Sequence, residues 1–190
     1  MKKFTALHRL LHWISAFAIL VLFTTGFLRI FWMSKASITA AVTKDPQIQN
    51  LNLNRDSLRT IAHSLQDPMF QWHIYAAYLI TFAFVVRIIY MLMKGIEFPN
   101  PFSKNVTMND RFQGMTYVLF YAFVALQIVT GGILKFDIGP DSLSGIAETT
   151  HKLAVYWAPL FILVHFAGIA ISESINRKGI SSKMIGGDSE

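Results

Sequence analysis

Hydrophobic positions in this chain gather into four long runs, about Leu10–Trp32, Met69–Met93, Met115–Lys135 and Leu153–Glu173, while polar residues fall mostly between them. Each run reaches the roughly 20 residues that span about 30 Å of hydrocarbon as a helix. The runs are apolar on all sides rather than alternating. A backbone in lipid has no water to bond, so each must close its hydrogen bonds within a helix. The pattern predicts an all-α, four-helix transmembrane bundle in one domain over about residues 1–176, with a flexible tail over 177–190.

The connections differ in character. The first, about 33–68, holds Asn50, Asn54, Asp56 and Asp67 and has room for short amphipathic structure. The second, KGIEFPNPFSKNVTMNDR, contains Pro99 and Pro101 and reads as an extended or turning loop. The third, FDIGPDSLSGIAE, is short and acidic. Pro159 is expected to bend the fourth helix.

Composition sharpens the class. With 53% hydrophobic residues and only 15% charged, the 190-residue chain is too apolar for an ordinary soluble domain. The absence of cysteine excludes disulfides, Cys-ligated iron–sulfur clusters and covalent haem attachment, so any haem is of the b type. The net charge of +6 does not point to nucleic acid, because the cations lie at the ends of apolar runs and read as topology signals. Lys2, Lys3, Arg9, Arg87, Lys94, Lys104, Arg111, Arg177, Lys178 and Lys183 flank one side. The positive-inside rule then puts both termini in the cytoplasm, with 33–68 external and the chain multi-pass in the cell (inner) membrane. The first run lacks a clear cleavage site and is expected to be a retained helix.

Candidate chemistry lies in the histidines. His151 and His165 are fourteen residues apart in one apolar segment. Fourteen positions return to within about 40° of one helix face, about 21 Å further along, so one helix can present two imidazoles inward at two depths. His12 and His73 lie in other apolar runs, and an ionisable residue there is by default a functional candidate. Alternating helix direction matches His12 with His165 at the cytoplasmic depth and His73 with His151 at the external depth. Two bis-imidazole haem sites are expected, with these four residues binding iron. Arg87 follows His73 by fourteen residues and, with Arg9, lies at the cytoplasmic depth. Both are candidates to bind anionic propionates. Gly26, Gly131 and Gly132 would allow close approach of a macrocycle or helix. His8 and His63 are expected to be a headgroup-region residue and an ordinary solvent-facing one, and the four tryptophans interfacial or packing residues.

A weak internal repeat matches TTGFLRIF from Thr24 with VTGGILKF from Val129, and His73 with His151 at an offset of 78. Together, Arg9-x-x-His12-Trp13, the His73-x13-Arg87 helix and the His151-x13-His165 helix resemble the bacterial and nickel-hydrogenase type of cytochrome b561, over most of the chain. The resemblance implies a four-helix membrane cytochrome with two non-covalent haem b groups on the four histidines. It also implies electron transfer between the quinone pool and a redox partner, with quinone or quinol a further ligand. The long first loop and the Thr-Gly pairs look more like hydrogenase or formate dehydrogenase cytochrome subunits, and Gln127 stands where many stand-alone members have proline. The partner is then a hydrogenase, a dehydrogenase or a cytochrome c, in addition to lipid.

Two readings of other classes compete: a small transporter or proton relay using the histidines as titrating groups, and a structural anchor whose first loop recruits a soluble protein. No acidic residue deep in a run and no inverted repeat supports the transporter.

Overall fold

The computed structural model describes residues 5–51, 53–95, 98–104, 106–175 and 179–187. Helix α1 (Ala6–Phe27) runs into a π-helical turn, Leu28–Trp32, followed by α2 (Lys35–Val42), α3 (Pro46–Gln49) and α4 (Arg55–Lys94). Then come α5 (Met108–Phe136), α6 (Asp141–Lys152), α7 (Ala154–Ile175) and α8 (Ile180–Gly186). No strand occurs among the described residues. Four spans, Ala6–Trp32, Arg55–Lys94, Met108–Phe136 and Asp141–Ser174, are long and apolar enough to cross a membrane. At most 22% of any span's apolar stretch is buried within the chain. The remaining apolar surface needs lipid, and the chain is a multi-pass membrane protein. Both described chain ends lie at one end of the bundle, here the terminal end, and the α1–α4 and α5–α6 connections lie at the opposite, loop end. Of the cations used to orient the chain, Lys2, Lys3, Arg177 and Lys178 lie outside the described residues.

Local sequence explains the helix starts. Thr5, Asn54 and Thr107 each accept a backbone N–H of the first turn on the side-chain oxygen. Thr107 also donates to the Asp110 carboxylate, closing a reciprocal cap on α5. Helix α5 ends at Asp137, which takes the left-handed conformation (φ 52°).

Two connections depart from expectation. The second half of the first connection is helical: α4 begins at Arg55 and passes through Pro68 without interruption. A 40-residue helix is about 60 Å long, twice the hydrocarbon thickness, so its first turns project beyond the loop end. One inward stripe, Ala62, Gln66, Ala76, Ile80 and Ala83, runs through both halves and holds the extension on the bundle. The exposed His63 therefore stands on a helix, not in a loop. The acidic third connection is largely the helix α6. The chain breaks at Leu153 between α6 and α7, so His151 and His165 sit on two successive helices rather than one bent at Pro159. Beyond α7, Gly179 and Ile180 donate their N–H groups to the Glu173 carboxylate at 2.8 and 2.9 Å. Helix α8 then meets α1, where Arg9 and Trp13 donate to the carbonyls of Ile185 and Met184.

Gln66 ties the extension to the π turn. Its side chain is 1% exposed and its amide donates to the Met33 carbonyl. Gln66→Leu keeps volume but strands that carbonyl. A loss of about 1–3 kcal/mol is expected, read as a lower thermal midpoint in detergent. A midpoint equal to that of the native protein would rule the tie out.

At mid-depth Ala18, Ile80 and Val124 form the buried cluster, packed by Leu22, Phe84, Phe120 and Phe123. Helix α1 packs chiefly on α4, and α5 on α6. This apolar layer separates two polar sites.

Candidate haem site

Toward the terminal end, His12 on α1 and His165 on α7 face each other with ring centroids 6.1 Å apart and planes at 39°. Toward the loop end, His73 on α4 and His151 on α6 stand 6.2 Å apart at 71°. Small residues line the contact between the two helices that carry His12 and His73: Ser15, Ala18 and Thr25 on α1 and Ala76 and Ala83 on α4 are buried.

Aromatic side chains brace the rings. Phe161 lies nearly parallel to His165 at 6.0 Å, and Trp13 meets His12 edge-on at 5.4 Å. Phe70 stacks on His73 at 5.4 Å and 9°. The Arg29 guanidinium lies 3.8 Å above the other partner in that stack, the Phe70 ring. The remaining tryptophans, Trp32, Trp72 and Trp157, are exposed.

Among the described residues, hydroxyl groups reach only the loop-end pair. Thr25 Oγ1 lies 2.8 Å from His73 Nδ1, and Thr130 Oγ1 lies 3.0 Å from His151 Nδ1. The neighbouring glycines face the same rings. A Cβ at Gly131 would stand 3.1 Å from His151 Cε1, and one at Gly26 would stand 3.9 Å from His73 Cε1. Gly132 has nothing within 4 Å, so of the three glycines only Gly26 and Gly131 border an imidazole.

The two arginines expected beside the terminal-end pair have protein partners. Arg9 Nη1 donates to Ile185, while its Nε is buried with no partner among the described residues. Arg87 Nε donates to Tyr121 Oη at 3.1 Å, and Tyr121 in turn stacks on Phe98. His8 serves α1 through its backbone N–H, which donates to Thr5.

Sequence reasoning did not assign Arg29, a lone guanidinium in an apolar run, although that isolation was a signal. It picked out Thr25 and Thr130 only as halves of a repeat.

The donor set was tested against an iron held between two imidazoles. With metal–imidazole bonds of about 2 Å and about 1.1 Å from nitrogen to ring centre, such an ion holds the two centroids about 6 Å apart. Both pairs meet that spacing. Among the described residues no three His, Asp or Glu side chains gather. The arrangement is two-point, as axial ligation of a macrocycle requires, rather than a polydentate cage. The glycine beside each loop-end imidazole leaves the ring flank without a side chain, which suits a flat group.

The family model for prokaryotic cytochrome b561, a family of haem b cytochromes, matches residues 3–187, nearly the whole chain. No curated protein and no solved structure matches. With four membrane-spanning helices and two facing imidazole pairs already evident, the match assigns the lineage: this chain belongs to the prokaryotic cytochrome b561 family.

Proposed function

We propose that this protein is a di-haem b-type cytochrome that carries electrons across the cell (inner) membrane between the quinone pool and a redox partner. The observation that carries the reading is the pair of imidazole couples, with centroids 6.1 and 6.2 Å apart, at two depths of one bundle. His12 and His165 hold one haem, and His73 and His151 the other. Haem so ligated exchanges single electrons and, with both axial positions filled, leaves dioxygen no place to bind.

The chain supplies the rest. Arg9, with its unpartnered Nε, and Arg87 offer guanidinium groups for propionates at the terminal end. Arg29 offers the corresponding charge at the loop end. The aromatic braces fix ring orientation, and the apolar surroundings keep water from the metals. The positive-inside bias supports cytoplasmic termini and an external loop end.

A second reading, the cytochrome subunit of a hydrogenase- or dehydrogenase-type complex, draws on the projecting start of α4 together with α2 and α3, which raise a helical platform on the loop side. The platform suits a partner that delivers electrons to the nearer couple.

Protein purified from haem-replete cells is expected to show sharp reduced b-type bands and two haems per chain, and to be reduced by quinol analogues in liposomes. Colourless protein would overturn the reading. Co-purification with a metal-cluster protein would favour the subunit form.

A further inference from the structure

Each loop-end imidazole meets a threonine hydroxyl whose own proton is already committed. Thr25 is 7% exposed, and its hydroxyl lies 2.7 Å from the Val21 carbonyl and 3.2 Å from that of Leu22. Thr130 is 6% exposed, with the Leu126 carbonyl at 2.7 Å and that of Gln127 at 3.3 Å. Carbonyl oxygens only accept, so each hydroxyl must donate its single proton to its own helix, the usual arrangement for threonine in an apolar helix. What remains on each oxygen is a lone pair. At 2.8 and 3.0 Å it can pair with an imidazole nitrogen only if that nitrogen carries a proton.

We propose that Thr25 and Thr130 are paired positioning residues that accept hydrogen bonds from the Nδ1–H groups of His73 and His151 and thereby commit both Nε2 atoms to one metal. The two threonines hold equivalent places in the internal repeat, each followed by a glycine that borders the same ring. One Thr-Gly step thus does two things: it sets the tautomer and clears the flank. The terminal-end couple is built differently. Among the described residues no hydroxyl reaches His12 or His165, and the nearby Ser15 turns its hydroxyl to the Leu11 carbonyl instead. Their support is aromatic.

The consequence is an inequality between the two sites. An imidazole that donates from Nδ1 is a stronger base at Nε2 and stabilises ferric iron. The hydroxyl pair therefore lowers the potential of the loop-end haem without touching the other.

This inference rests on the di-haem reading, and potentiometric titration of the purified holoprotein tests it separately. Thr25→Val and Thr130→Val keep shape and lose the acceptor. Each is expected to move one midpoint upward by about a threefold change in ferric-to-ferrous ratio, or about 28 mV at 59 mV per tenfold, and to leave the second midpoint in place. Thr25→Ser and Thr130→Ser should restore the native value. Selective loss of one haem in the valine variants, restored by serine, supports the same assignment. Unmoved midpoints with both haems retained, or two midpoints that move together, would overturn it. Native protein without haem would instead overturn the di-haem reading itself. Should the valine variants fail to accumulate, redox-difference infrared spectra of native protein labelled with 15N-histidine decide the matter. Two ring populations with distinct Nδ1–H bonding support the inference, and a single population refutes it.

Discussion

On the di-haem reading, replacing His151 with alanine is expected to lower the haem content from two per chain to one. The imidazole is an axial ligand in this reading, and its removal takes away one of only two bonds from protein to that iron. Loss of a mere supporting contact weakens a metal by about 10–100-fold, so loss of the ligand should exceed that range. His73→Ala should do the same, since the two rings face each other at a centroid separation of 6.2 Å and are assigned to one haem in this reading. His12→Ala should spare that site and empty the other. The pyridine haemochrome count against protein, with a redox titration that falls from two waves to one, reads the outcome. Full occupancy in both His73→Ala and His151→Ala would remove these residues from the ligand set.

Gly114→Ala carries the largest expected cost to the fold. A Cβ there would stand only 2.2 Å from the Pro99 carbonyl oxygen and 3.0 Å from Pro101 Cδ. A backbone oxygen cannot swing aside as a side chain would, so the segment holding Phe98 must lift from α5. Overpacking of this kind costs about 1–3 kcal/mol and more where backbone is the obstacle. Phe98 stacks on Tyr117 and Tyr121, and Tyr121 accepts from Arg87. The damage should therefore reach Arg87 as well as stability. Gly132→Ala, with nothing within 4 Å, is the control and should be neutral or mildly stabilising. Equal thermal midpoints for the two variants would contradict the close approach.

The four spans were legible because each is apolar all round, and helix direction alone matched the histidines by depth. The structure brings His12 to His165 and His73 to His151. The start of α4 was hidden for a physical reason. Its inner stripe uses Ala62 and Gln66, weak hydropathy signals among charged neighbours, and Pro68 falls between that stripe and the apolar run. A proline costs a helix one hydrogen bond, and packing along the stripe offsets it. Helix α8 was obscure because its anchors, Glu173, Arg9 and Trp13, are distant in sequence or read as interfacial. The threonine contacts depend on side-chain rotamers that no pattern of residue types specifies.

The layer of Ala18, Ile80 and Val124, walled by phenylalanines, holds no ionisable group. A charge at this layer would lie among apolar side chains, with no polar partner from these residues. On the di-haem reading, an electron passing between the two depths works with or against the transmembrane voltage by a fraction of about 2.3 kcal/mol per 100 mV. An energised membrane would retard traffic in one direction and hasten it in the other.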